Sequence, residues 1–264
     1  MRVARAAAAH RGLAYQRHVS IETAKWRIRG GANPSWTNET AYLVGLMATD
    51  GGLTQRGKQI DFGSSDSELV ETFISCLPRR RPRMYETVGK SRPEYRTQFK
   101  DAVLFRWLVD AGLMPRKSLT LGALSVPDAL LSHVIRGLLD GDGCVINVNQ
   151  YGRNARGEPY YWECLVTKFN SASPQHILWL RNVINTAVGI KGYVTIYVQR
   201  RHPLYILCYA KRESVKLPPW LYSDPDGPCL TRKRSIWANY RRRHAMDDEL
   251  PSGRVAEAPA SGYS

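Results

Sequence analysis

Two aspartates close two similar apolar stretches. Residues 41–51 read AYLVGLMATDG and residues 133–143 read HVIRGLLDGDG, which puts Asp50 and Asp142 at the ends of two apolar helices. A helix C-terminus carries partial negative charge, so a carboxylate there costs some tenths of a kcal/mol. Gly51 and Gly143 explain why the helices stop, if each takes the left-handed conformation that ends a helix. They do not explain the acids. Placed side by side, two such carboxylates form a hard-oxygen pair suited to Mg²⁺, with water and phosphate oxygens completing the shell. An ion held there would polarise a phosphodiester and activate water for in-line attack.

The elements that would position these acids occur twice. Leu43–Gly51 aligns without gaps on Ile135–Gly143, and FGSSDSELV (62–70) aligns on FNSASPQHI (169–177). The second pair of patches reads as helix starts. Ser65 or Asp66 can cap one helix, and Ser173 followed by Pro174 is a cap with an N1 proline. In 192–211, Val194, Ile196 and Val198 alternate with Tyr193, Thr195, Tyr197 and Gln199, the period of a half-buried strand. Each copy therefore reads helix, two strands, helix, two strands and a closing helical piece. The first spans 37–124 and the second 125–243, between a basic arm (1–36) and a tail (244–264) expected to be disordered. Gly45 and Gly137 occupy matching positions in the two apolar helices. Without side chains there, the helices can pack closely and bring Asp50 and Asp142 to one end.

LVGLMATDG and IRGLLDGDG resemble the LAGLIDADG signature, and the chain is similar to two-motif homing endonucleases over roughly residues 37–240. The resemblance implies an α+β fold of two αββαββα repeats related by a pseudo-twofold axis. The motif helices would form the interface, and the antiparallel sheets a DNA-binding saddle. It implies site-specific double-strand DNA cleavage with Mg²⁺ at Asp50 and Asp142, Mn²⁺ substituting, and the carbonyls of Thr49 and Gly141 as further ligands. Lys117 and Lys233, in the basic patches that close each copy, are the candidates for the basic catalytic position that some family members use, although either can equally be a surface lysine in a charged patch. Ser64 and Ser171 match the polar one, although either serine can equally cap a helix. The earlier acidic position of the motif is Ala48 in the first copy and Asp140 in the second. A non-catalytic reading on the same fold, an intron RNA maturase or a DNA-binding regulator, is the alternative, and intron RNA would then be a partner.

Base reading is expected from the polar strand faces: Gln55, Arg56, Lys58, Gln59, Arg96, Gln98 and Lys100 in the first copy. In the second copy the candidates are Asn147, Asn149, Gln150, Arg153, Lys168, Tyr197, Gln199 and Arg201. Arg reads guanine and Asn or Gln reads adenine through paired hydrogen bonds in the major groove. A one-residue slip in strand parity reverses the face. RRRPRMY (79–85) and RKR (232–234) are candidate phosphate contacts, whereas Trp107, Trp179 and Trp237 sit in apolar helical contexts that favour the core.

The composition agrees with a polyanionic partner. The 264-residue chain carries a formal net charge of +15, and basic soluble chains of this kind meet nucleic acid. No apolar run reaches the ~20 residues that span a bilayer, so no membrane partner is expected. The five cysteines form no CxxC or Cys/His zinc spacing, which points to a reducing compartment: cytoplasm or organellar matrix, not secretion. The long hairpin at 147–163 has no counterpart in the first copy. The expectation is a monomer with unequal halves on a long, non-palindromic duplex.

Overall fold

The computed structural model describes residues 33–79, 81–88, 93–198 and 202–244. Most of the expected arm, the tail beyond His244, Gln199 and Arg201 lie outside the described residues. From Pro34 onward the described residues belong to one compact unit. The first half runs α1 (Asn38–Thr49), β1 (Gly51–Thr54), β2 (Gln59–Ser64), α2 (Ser67–Ser75), β3 (Tyr85–Val88), β4 (Pro93–Lys100) and α3 (Ala102–Asp110). The second runs α4 (Leu131–Asp140), β5 (Cys144–Arg153), β6 (Pro159–Ser171), α5 (Pro174–Val188), β7 (Tyr193–Tyr197) and β8 (Leu204–Tyr209). Its closing helical piece is split into α6 (Lys211–Ser214), α7 (Leu217–Leu221) and α8 (Thr231–Arg243). This is αββαββα twice. Both sheets are antiparallel and share one strand order, β1-β2-β4-β3 and β5-β6-β8-β7.

Each sheet buries one face against its own helices. Ile60, Phe62, Thr97 and Phe99 point inward in the first sheet, and Leu165, Thr167, Phe169, Leu207 and Tyr209 in the second. Phe62 stacks on Phe73 of α2 at 4.3 Å between ring centroids. The α5 start has Ser173 as its cap, the hydroxyl accepting from the His176 amide at 3.5 Å. At α2 the N-cap position is Asp66, whose side chain makes no capping bond. Trp237 is buried, and Trp107 and Trp179 pack against the core.

The motif helices α1 and α4 cross at the centre. Thr40 to Ala48 and Ser132 to Asp140 are buried without interruption, as befits helices enclosed on all sides. A Cβ on Gly45 would lie 2.9 Å from the Cα of Gly137 and would overlap the Val134 carbonyl. One on Gly137 would lie 3.0 Å from the Cα of Gly45 and would overlap the Tyr42 carbonyl. Val134 stands three residues before Gly137 as Tyr42 does before Gly45, so the two contacts are twofold images of each other.

The terminal glycines work differently from the sequence expectation. Neither Gly51 nor Gly143 has positive φ. Instead the chain turns back so tightly that a Cβ would stand 2.6 Å from the Cα of Met47, or 2.8 Å from that of Leu139. Close approach, not left-handed geometry, demands glycine there.

Candidate functional site

The ends of the two motif helices touch. The side chain of Thr49 fills the space that a Cβ on Gly141 would need, 2.7 Å from the Thr49 Cβ. Asp50 follows Thr49 and Asp142 follows Gly141, so the seam delivers both acids to one place. Both carboxylates reach solvent. The packed helix ends nevertheless strip away part of their water. That dehydration, then the charge of Asp142, pushes the Asp50 carboxyl up to about 7, while Lys233 and Lys117 pull it down. Asp142 is raised by the same dehydration and eased by Lys117, then Lys233. The favourable partners are thus crossed: each acid is eased most by the lysine of the other half.

Lys117 and Lys233 are buried. The Lys233 ammonium donates to the carbonyls of Leu139 (2.7 Å), Asp140 (2.8 Å), Gly141 (3.3 Å) and Gly143 (2.7 Å). Lys117 donates to the carbonyls of Thr49 (3.2 Å) and Gly51. Each lysine clasps the last turn of its own motif helix and the chain just beyond it, where a cation meets the negative helix end. Burial lowers both lysines' pKa values, and the neighbouring carboxylates raise them. The carbonyls of Thr49 and Gly141, considered above as metal ligands, each already accept from an ammonium.

Ser64 and Ser171 occupy matching turns. Their hydroxyls accept from the amides of Asp66 and Ser173, each at 3.1 Å, which shapes the entry to α2 and α5. Ser171 also lines a cavity of about 350 Å³ beside Asp142, together with Thr49, Asn170 and His176. Asn170 was not singled out from sequence, yet its amide donates to the Asp142 carbonyl at 2.7 Å. The visible signal was its place in FNSAS, where the first copy has Gly63.

Strand pairing sorts the expected base-reading residues by face. Residues directly opposite each other share a face. Arg96, Gln98 and Lys100 lie opposite Gly63, Asp61 and Gln59 and point away from the core. Asp61 is an acid on this face that the sequence reading passed over. Its carboxylate covers Gly52 and helps to hold the charge on Lys117. Gln55 and Arg56 are exposed in the β1–β2 turn. Lys58 departs from its expected role: its ammonium sits 5.0 Å from the Phe105 ring centroid, over α3.

In the second sheet Lys168 and Gln150 lie on the outward face, as does Tyr197 opposite Leu204. Asn147, Asn149 and Arg153 do not. They share a face with Leu165, Glu163 and Pro159, the reverse of the parity assumed from sequence. Asn147 donates to Glu163 at 2.9 Å and also meets Arg243 of α8. Arg153 donates to the Gly157 carbonyl at 2.8 Å, closing the hairpin turn. Of the 232–234 patch, Arg232 pairs with Asp66 at 2.9 Å and Arg234 donates to the Pro225 carbonyl at 2.9 Å, so both tie parts of the fold together.

No family model matches this chain, and no curated protein does. Solved structures do. Full-length DUF199/WhiA from Thermatoga maritima is similar at 12% identity and a TM-score of 0.47, over 81% of this chain and 66% of that one. The meganuclease I-SmaMI bound to uncleaveable DNA is similar at 11% identity and 0.49, over 78% and 90%. The I-LtrWI LAGLIDADG homing endonuclease bound to target DNA is similar at 13% identity and 0.49, over 79% and 90%. Among the described residues no helix is long and apolar enough to cross a membrane.

Proposed function

We propose that the chain is a site-specific, Mg²⁺-dependent double-strand DNA endonuclease of the LAGLIDADG type. The observation that carries this reading is the contact of Thr49 with Gly141, which presents Asp50 and Asp142 together at the solvent edge of a helix seam. For stability alone the arrangement is poor: two like charges lie at two negative helix ends, and the Asp50 carboxyl is driven up to about 7 by dehydration and by its neighbour. A divalent cation would reverse that balance.

The donor set fits Mg²⁺. Two carboxylates with open positions suit an ion that keeps several waters and takes phosphate oxygens. Among the described residues no cluster of three or more His, Cys, Asp or Glu offers a closed all-protein cage. Asp50 and Asp142 would hold the ion, which when bound polarises the scissile phosphodiester and activates water. Lys117 and Lys233 fix the acid-bearing loops through their carbonyls and supply positive charge beside the phosphate. Arg96, Gln98, Lys100 and Lys168 face outward from the sheets to meet the duplex. The compact unit holds both acids in one chain, so one monomer would cut both strands.

The test is to select bound duplexes from a randomised DNA library with Ca²⁺ present, then add Mg²⁺ or Mn²⁺ to the enriched sequence. Cutting of both strands by the wild type and not by Asp50→Asn supports the enzyme. Tight binding without cutting would make this a DNA-binding regulator on the same fold, and no enriched duplex would overturn the DNA reading.

A further inference from the structure

The two sheets present unlike outer faces. The first carries Gln59, Asp61, Arg96, Gln98 and Lys100 toward solvent, a surface of donors and acceptors. Pairing places Ile146 opposite Val166, Val148 opposite Cys164, and Leu204 opposite Tyr197 on the outer face of the second, with Ile206 between Asn170 and Thr195. Val148 is 45% exposed and the others line the same open face. Among the described residues, Lys168 is the only charged side chain there.

This apolar patch, rimmed on the same face by Gln150, Asn170, Thr195 and Tyr197, is open to solvent and needs a partner. Its position says which one. The seam glycines relate the halves by a twofold, so this face is the mate of the polar face, and both flank Asp50 and Asp142. A duplex laid across the two acids continues over both sheets. In the major groove the apolar group is the thymine 5-methyl; the other base-edge groups are hydrogen-bond donors or acceptors. Polar base edges left against Val148 or Ile146 would lose their water with nothing in return.

We infer that the second half-domain selects its half of the target by packing thymine methyls against Ile146, Val148, Val166 and Ile206, whereas the first half-domain selects by hydrogen bonds. This rests on the DNA-binding reading above and adds the chemistry of one half-site to it. It also explains why the halves are unequal where they meet the bases while remaining twofold images at the seam.

The duplex selected from the randomised library with Ca²⁺ is remade with uracil for thymine in one half at a time, which removes the methyls and keeps every hydrogen-bonding group. Affinity is expected to fall about fourfold per contacted methyl in one half, the value of one buried methyl-sized group, and to change less than about twofold in the other. Val148→Thr, near-isosteric at an exposed position, should erase part of that penalty in the sensitive half only; Val166→Thr is the second variant. If uracil leaves affinity unchanged in both halves, the methyl reading falls while the enriched duplex still stands as evidence of DNA binding. If the sensitive half responds to neither valine variant, the assignment to this face falls. If no duplex is enriched, both readings fall together.

Discussion

Tyr42 of the first motif helix donates its phenolic hydrogen to the carboxylate of Asp140 on the second, 2.9 Å across the seam. The same carboxylate oxygen accepts from the Leu230 amide at 2.8 Å, immediately before α8. Asp140 is buried to 1% exposure, and it occupies the position that is Ala48 in the first copy. Burial pushes its carboxyl up to about 6 against these two hydrogen bonds. Its geometry is that of a joint between the halves and the helix that carries Lys233, and it separates this acid from the solvent-facing Asp50 and Asp142.

Asp50→Asn and Asp142→Asn are expected to lower Mg²⁺-dependent cleavage by about a thousandfold or more and to bind the selected duplex within a few-fold of wild type. Single-turnover cleavage and fluorescence anisotropy on the same preparations separate the two effects. Near-normal cleavage by both variants would overturn the mechanism.

Cleavage should rise with pH through about 7. The Asp50 carboxyl is raised to about 7, so below that pH it carries a proton that a metal must displace. The midpoint should move to lower pH as Mg²⁺ increases, because metal binding releases the proton. The stability effect has the opposite sense. A raised carboxyl favours the folded state while protonated, and this contribution is lost as pH climbs from about 4 to 7. Asp50→Asn should therefore be the more stable protein at pH 8, by about 1 kcal/mol once solvent screening of an exposed group is allowed for. Metal-free thermal melts at pH 5 and pH 8 measure the difference.

Gly45→Ala and Gly137→Ala should each destabilise the fold by about 3 kcal/mol or more, since the added methyl meets backbone on the facing helix. Chemical denaturation gives the value. Equal stability to wild type would mean that the helices slide apart at little cost.

Tyr42→Phe leaves Asp140 buried with one hydrogen bond fewer and should cost about 1–3 kcal/mol. Cleavage per folded molecule should change little, because Asp140 does not reach the solvent edge where Asp50 and Asp142 sit. A thousandfold loss of cleavage in a fully folded Tyr42→Phe would place this pair in the chemistry.

Lys233→Met removes one ammonium from four carbonyls and should cost about 2–3 kcal/mol, more than Lys117→Met, which releases two. Both should also weaken cleavage by loosening the acid-bearing loops. Comparing melting temperature with single-turnover rate distinguishes the scaffold effect from the electrostatic one.

The seam was legible in the sequence because a glycine at matching places in two buried helices leaves few uses other than close packing. The acids were legible because they occur twice at unfavourable helix ends. The faces of β5 were not. Beyond Val148 the hairpin runs clear of the core, both of its faces meet solvent, and no buried residue fixes which alternate set points outward. Asn149 and Arg153 therefore read like base contacts, although Arg153 serves the hairpin turn; Asn147 precedes that stretch, on the face that buried Val145 and Leu165 set, and serves α8. The clasp made by Lys117 and Lys233 was also invisible, since the carbonyls it holds are backbone and leave no mark in residue types. Asp61 escaped because its importance lies in what stands beside it, Gly52 and Lys117, from different parts of the chain.

The pairing of Tyr42 with Asp140 reaches beyond stability. Two copies of the first half brought together would set two phenols against two alanines, with no acid to receive them. Two copies of the second would bury two carboxylates opposite Val134, with no hydroxyl to meet them. Each half is thus the only well-matched mate for the other. The chain carries a compatibility rule at its centre that disfavours the pairing of like halves, and a recombined protein built from two like halves would have to invent a new one.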